Sequence, residues 1–404
     1  MTILMALLAL ATEPHSPCDT PEAVKPNSEA VLLCELAISR SEGAPRVKLL
    51  NQRAFAFNER NDAPSAIKDL DAALAIDPND KTALFERAYS NNDIGNHDRA
   101  LVDLTTAERL FGLSTKLLQE RSFAFEWKAD FLAAAQDRTA ILAGQPDDLD
   151  TLFGRANVYA WLGRFEDARA DLMRARAIAS RTQKGNDLEE IVRQEATLSL
   201  LTMGEAAGAA ERCAAAMRAN RFDSPTLIGD CTRSYLAATT SAKRAEALTI
   251  RALAWQIGQQ DSERAFVDTR IAAAVDPKNA AMRTNYGFRL VQKGRSWAGE
   301  REFDAALAID PKSWAALAGR AQARHRLGKL DGAFADGRRS FELHPNEIAL
   351  IEMGDILHQR GDDKAAKMLW LSAYNLGSRN DDLIANLHAI GVADIEAQAA
   401  KLRK

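Results

Sequence analysis

The chain has few prolines, few cysteines and little net charge: 12 prolines and 4 cysteines in 404 residues, with 52 basic against 56 acidic side chains for a net charge of −4. The near balance of charge argues against a nucleic-acid partner, which is usually met by a strongly basic face. Sparse proline and abundant alanine favour helix throughout. Catalytic signatures are missing too. There is no glycine-rich phosphate loop, Cys-x-x-Cys, His-Glu-x-x-His or Gly-x-Ser-x-Gly. The expectation is a non-enzyme with no cofactor and no metal. Among the scattered histidines, His325 and His358 each stand three residues before a glycine, Gly328 and Gly361. They read as two polar surface histidines; a shared metal or pH-sensing role is the lesser alternative.

Long hydrophobic runs are absent as well. The apolar run from Ile3 to Ala11 is far shorter than the roughly 20 residues a spanning helix needs. Ala9-Leu10-Ala11 has the small-x-small form of a cleavage site, although no Lys or Arg precedes the run. Residues 1–17 therefore read as a signal-like segment and leader, the alternative being an apolar first helix packed on the rest. Cys18 follows His15-Ser16-Pro17, which is not a lipoprotein pattern. The expected location is periplasmic or secreted, with cytoplasmic as the alternative, and with no integral membrane segment in the mature chain.

A period of 34 residues dominates what is present. Arg53, Arg87, Arg121 and Arg155 recur at that spacing, and so do Asp69, Asp103, Asp137 and Asp171. Ala66, Ala100, Ala134 and Ala168 keep the same beat, and Pro78 and Pro146 close two of the units. The period resumes with Pro277, Pro311 and Pro345, beside Asp268, Glu302 and Asp336, with Gly294 and Gly328 as turns. Gly361, Ala366, Trp370 and Ala373 fit a further unit, and Gly204, Ala209, Cys213 and Ala216 fit a degenerate one. A repeat of this length is one supersecondary unit that buries its apolar face only by stacking on its neighbours.

The pattern resembles the tetratricopeptide repeat over roughly residues 47–377. One unit holds Leu50, Ala54, Phe57, Ala66, Leu70, Ala73 and Pro78; another holds Leu152, Ala156, Tyr159, Gly163, Ala168, Leu172 and Ala175. Small residues at positions 8 and 20 of a unit let two helices touch. Bulky ones at 11 and 24 fill the space beside them. Phe57, Tyr159, Trp255 and Trp370 fall at core positions. The resemblance implies an all-α, right-handed superhelical array of antiparallel helix pairs, as one array or two tandem arrays. The arginine and aspartate ladders are read as structural ion pairs between packed helices, Arg87 having Asp69 and Asp103 as candidate partners.

A second symmetry divides the chain. Cys34 precedes Arg53 and Cys231 precedes Arg251 at nearly equal distance, and each has a cysteine upstream, Cys18 and Cys213. Four cysteines allow three connectivities. The duplicated layout favours Cys18–Cys34 and Cys213–Cys231, with four buried thiols as the alternative. Cysteine-paired caps resemble those of secreted bacterial tetratricopeptide proteins. The expected organisation is a cap at 18–46, a first array at 47–180, a degenerate repeat and second cap at 181–245, a second array at 246–377 and a C-terminal capping helix at 378–404.

In such repeats positions 2, 5, 6, 9, 12 and 13 of each first helix line the concave face. Here this stripe holds Asn51, Phe55, Asn58, Phe85, Tyr89, Asn92, Phe123, Trp127, Phe153, Asn157 and Trp161. The core does not need these aromatics, so a solvent-facing stripe of them reads as a partner site. Coverage by the cap or by curvature is the alternative. Glu59, Glu86, Asp93 and Glu120 make one end acidic. The expected function is a protein-interaction scaffold holding an extended, apolar-basic peptide segment, with Phe123, Trp127 and Trp161 as anchors. A periplasmic assembly or chaperone factor for envelope proteins is the alternative, and a regulatory enzyme subunit using residues 181–245 the remotest one.

Overall fold

A computed structural model describes residues 16, 18, 24–25, 29–60, 62–182 and 185–402. The signal-like segment at 1–17 lies outside the described residues apart from Ser16. Among the described residues there are helices and no strands. The chain divides into two compact units, residues 1–199 and 200–404, each described by itself.

Unit 1 opens on α1 (Glu29–Ser39). Four helix pairs follow: α2 (Gly43–Glu59) with α3 (Ala63–Ile76), α4 (Lys81–Asp93) with α5 (His97–Phe111), α6 (Thr115–Trp127) with α7 (Phe131–Gly144), and α8 (Leu149–Trp161) with α9 (Phe165–Thr182). Helix α10 (Gly185–Thr202) packs its Ile191 and Leu198 into the last of these cores. Unit 2 begins with α11 (Ala209–Ala219) and α12 (Leu227–Ala237), then pairs α13 (Ser241–Leu253) with α14 (Ser262–Val275), α15 (Ala280–Gln292) with α16 (Ser296–Ile309), α17 (Trp314–Arg326) with α18 (Leu330–Leu343), and α19 (Glu347–Gln359) with α20 (Asp363–Asn375). The expected single C-terminal helix is two short ones, α21 (Asp381–Ala389) and α22 (Ile395–Lys401), parted where Gly391 adopts a φ of +85°.

Local chemistry sets the helix ends. Asp62, Asp80, Asp130, Asn346 and Asp362 each accept a backbone N–H of the first turn, satisfying a donor that the helix cannot. Three of the pairs in unit 1 are joined through one residue in the left-handed region. Glycine supplies it at Gly95 and Gly163, whereas Ala129 takes the same place at a φ of 59°.

Both cysteine pairs are bonded as the duplicated layout suggests, Cys18–Cys34 and Cys213–Cys231, and no cysteine is free. The ladders are ion pairs within each helix pair. Arg53, Arg87, Arg121 and Arg155 each grip the aspartate 16 residues on with two N–H donors. The second reach of Arg87 corrects the expectation: its remaining N–H goes to Asp71 of the preceding pair at 2.6 Å, not to Asp69. Arg121 likewise reaches back to Glu108 at 2.5 Å. Arg87 and Arg121 thus tie neighbouring helix pairs as well as their own helices.

Unit 2 keeps this spacing at Arg320–Asp336 and departs from it elsewhere, Arg283 meeting Glu302 across 19 residues. Arg251 meets Asp268 across 17 residues instead of 16. The extra residue is absorbed as a π-helical turn, Ala254–Gly258, at the end of α13. Trp255 of that turn is buried, as is Trp370, while Phe57 and Tyr159 are partly buried against their clusters.

A candidate groove on the first helices of unit 1

The stripe residues come from α2, α4, α6 and α8, the first helix of each pair, and the structure sorts them by depth. Phe85 and Phe153 are buried in the core clusters. Lys116 Nζ lies 5.8 Å from the Phe85 ring centroid. Phe55, Tyr89 and Phe123 stay exposed, at 50%, 46% and 39%. All three hold the same place in successive units, so they form one column of rings along the first three pairs. Asn157, which continues the column, is exposed.

The tryptophans are half-covered through contacts that composition alone does not reveal. Trp127 stacks on His97 with centroids 5.2 Å apart, and it also meets Phe123 at 5.6 Å. Trp161 stacks on Phe131 at 5.3 Å and an interplanar angle of 6°. His97 and Phe131 open the second helix of the preceding pair. They are 34 residues apart, as are the two tryptophans, so one stacking joint occurs twice. That spacing is visible in the sequence, but which ring at a helix start meets which tryptophan depends on how the helices pack.

The asparagines are framework on one side and surface on the other. Asn51 is buried and donates from Nδ2 to Asp80 Oδ1 at 2.8 Å. Asn58 accepts from Ser90 Oγ at 3.0 Å. Asn92 donates to the backbone carbonyl and the carboxylate of Glu120, both at 3.1 Å, and its Oδ1 faces His97 Nδ1 at 3.2 Å. These amides link successive first helices across the groove floor. A cavity of about 380 Å³ opens at the α2 end, among Val47, Lys48, Asn51, Phe55, Asp80 and Glu86.

The groove carries negative charge. Burial raises the Tyr89 hydroxyl pKa, and the fields of Asp93, Glu120, Glu86 and Glu59 raise it further. The Glu120 carboxyl is also pushed up, chiefly by burial, while the Asn92 bond and Lys116 pull it down. Lys116 bonds Glu86 at 3.1 Å and so offsets part of the field. The arrangement offers flat apolar rings beside carboxylates and presents no nucleophile paired with a base.

Elsewhere the histidine reading needs correction. His325 is not a surface residue: its side chain is 13% exposed and its Nδ1 lies 2.7 Å from Glu352 Oε2. His358 instead bonds Asp363 and lies against Trp370. Ligand atoms of His325, Glu352 and Asp355 fall within 4.8 Å of one another. Among the described residues no helix is long and apolar enough to cross a membrane.

No family model matches the chain, and no curated protein matches it. Among solved structures, a tetratricopeptide repeat protein from Parabacteroides merdae aligns at 17% identity over 85% of this chain and 98% of its own, with a TM-score of 0.31. Yeast Tom70 aligns at 13% identity over 93% and 95%, TM-score 0.37. The pilF protein of Pseudomonas aeruginosa aligns at 16% over 49% and 89%, TM-score 0.37. Scores this low leave the assignment to the chain's own features: a 34-residue period, small residues where helices touch, and successive helices packed in pairs. On those features the chain is an all-α array of helix pairs whose repeat resembles the tetratricopeptide repeat.

Proposed function

We propose that the chain is a non-catalytic interaction scaffold whose unit 1 groove holds an extended, apolar-basic segment of a protein partner. The observation that carries this reading is the column of Phe55, Tyr89 and Phe123, solvent-exposed in a field of four carboxylates. Exposed rings in register along a groove stay available for side chains of an extended chain. Carboxylates beside them favour Lys or Arg in that segment and disfavour acidic competitors. Trp127 and Trp161, already stacked on His97 and Phe131, shape the groove edge and offer their remaining faces. Two disulfides suit an oxidising compartment, so the working location is the periplasm or the exterior.

Selection of binders from a random peptide library on the purified chain tests the reading. Enriched peptides should combine apolar side chains with Lys or Arg. Phe123→Ala and Tyr89→Ala should each weaken them by about 2 kcal/mol, a factor of roughly 30. Reversal of charge at Glu86 should shift selection away from basic residues. Acidic winners, or binding indifferent to a Phe55/Tyr89/Phe123 triple alanine variant that keeps its helicity, would place the partner site elsewhere.

A further inference from the structure

Unit 2 holds two carboxylates near its C-terminal end that no arginine answers. Its buried ladder aspartates, Asp268 and Asp336, are each gripped by one. Glu352 and Asp355 stand three residues apart on one face of α19. Among the described residues neither has a Lys or Arg in ion-pair contact. Glu352 is buried, its side chain 8% exposed, and Asp355 is half-buried. The basic group they meet is the imidazole of His325 on α17, whose Nδ1 lies 2.7 Å from Glu352 Oε2. Ligand atoms of all three residues fall within 4.8 Å of one another. The helical framework does not ask for these acids, because the same places on α17, 33 residues earlier, hold Gly319 and Gln322.

Each of the three is aimed by a neutral partner. Trp370 Nε1 and Asn386 Nδ2 donate to Asp355 Oδ1 at 2.9 and 3.2 Å. The other Asp355 oxygen has no hydrogen-bond partner among the described residues. Gln322 Nε2 donates to Glu352 Oε1 at 3.0 Å, which leaves Oε2 to face His325. The side-chain amide of Gln359 lies 2.7 Å from His325 Nε2. Outer partners of this kind orient metal ligands and fix the tautomer of a ligating imidazole. His358 takes no part: it bonds Asp363 and lies against Trp370.

Two carboxylates bring two negative charges, and one imidazole returns at most one. Charges taken out of water need a partner, and a dication balances this pair. One imidazole nitrogen with two carboxylate oxygens suits a borderline transition metal such as Zn²⁺, whereas Mg²⁺ prefers oxygen ligands and water. Atoms bound tetrahedrally to zinc at about 2.1 Å stand about 3.4 Å from one another. The ion replaces the proton between His325 and Glu352, so that contact opens by a few tenths of an ångström while Asp355 closes in. We propose that His325, Glu352 and Asp355 form a divalent transition-metal site, with Zn²⁺ as the fitting ion and water in its fourth position. The ion joins α17 to α19 and so ties two successive pairs of unit 2. The imidazole stands 27 residues before the nearer carboxylate, so no short motif announces the site, and the expectation of no metal drawn from the sequence gives way to the folded geometry. The proposal stands whether or not the groove of unit 1 holds a peptide.

The test titrates Zn²⁺ into the full chain, first stripped with a chelator, and follows heat, thermal midpoint and amide exchange. Zn²⁺ should raise the midpoint and slow exchange in α17 and α19, and Mg²⁺ at the same concentration should do neither. Asp355→Asn keeps an acceptor for Trp370 and Asn386, so its metal-free helicity should match the parent chain. This variant and His325→Gln should each lose one bound equivalent, or bind it about 100-fold more weakly, at least the cost of losing an outer partner. His358→Gln, which alters the neighbouring histidine, should bind as the parent chain does. Glu352→Gln repeats the test if either ligand variant loses helicity. No zinc binding by the parent chain, binding unchanged in a folded ligand variant, or an equivalent that disappears with His358→Gln would overturn the proposal.

Discussion

Each half of the molecule places a disulfide-held cap ahead of an Arg–Asp pair, and the two halves bury that pair to different depths. In the first, Arg53 and Asp69 side chains keep 18% and 7% of their surface exposed. In the second, Arg251 and Asp268 keep 3% each. The cause lies in the cap: Thr232 of α12 accepts a further Arg251 N–H at 2.8 Å. The same motif thus serves as a wetted register device in one unit and a dry, fully paired one in the other. Burial raises the Asp268 carboxyl, and Arg251 works against that rise.

The largest expected effect breaks this contrast directly. Arg251→Ala leaves Asp268 buried without its cation, which costs about 3–5 kcal/mol; Arg53→Ala, beside water, should cost less than half of that. The Arg251→Ala penalty should also shrink as pH falls from 8 towards 5. A carboxyl whose folded pKa lies above its unfolded value binds a proton on folding, so acid favours the folded state. Urea unfolding of both variants at the two pH values measures this. Equal losses at both sites would show that depth of burial does not set the worth of the pair.

A second contrast lies where helices touch. In unit 1, Ala54 faces Leu70, both fully buried. In two pairs of unit 2, α15–α16 and α19–α20, the bulky partner is aromatic and the small one shrinks to glycine. A Cβ on Gly287 would lie 2.7 Å from the Phe303 ring, one on Gly319 2.3 Å from it, and one on Gly354 2.5 Å from Trp370 Nε1. Gly354→Ala should therefore cost about 1–3 kcal/mol by overpacking. Trp370→Leu added to it, which recreates the alanine–leucine pairing of unit 1, should recover part of the loss. If the double variant is as unstable as the sum of the singles, the two positions do not compensate for each other.

These contrasts mark how far the sequence could be read. The helix pairs, the local disulfides and the within-pair ion pairs follow from spacing, because a repeat forces each position into one environment. Depth does not follow from spacing. Phe55 and Phe85 sit on the same stripe, yet one is exposed and the other buried, because a small change of angle about the helix axis moves a large ring across the boundary of the core. Stacking of Trp127 on His97 needed two periodic ladders to be compared across helices rather than along one. The π turn is legible in principle, since the Arg251–Asp268 spacing of 17 exceeds the 16 of unit 1, but spacing alone does not say which turn absorbs the extra residue.

The smallest predicted effect concerns the C-terminal pairs of unit 2, where His325, Glu352 and Asp355 gather. Asp355 accepts from Trp370 Nε1 at 2.9 Å and Asn386 Nδ2 at 3.2 Å. Burial first, and the charge of Glu352 second, push its carboxyl up to about 6, while His325 pulls it down. His325 itself is raised, chiefly by its bond to Glu352. The raised carboxyl costs stability above its folded pKa and releases that cost as pH falls from about 6 towards its unfolded value near 4. The raised imidazole contributes stability that is complete below about 6.5 and is lost as pH rises through its folded value. Both signs agree, so this end of unit 2 should be firmer at pH 5.5 than at pH 8. Asp355→Asn keeps an acceptor oxygen for Trp370 and Asn386 while it removes the charge that Glu352 opposes. Asp355 is partly exposed, so solvent screening limits the gain to about 1 kcal/mol or less. A thermal midpoint about 2 °C higher at pH 8, with slower amide exchange in residues 347–389 and a flatter pH profile, is the expected result. An unchanged pH profile in the variant would assign the sensitivity to His325.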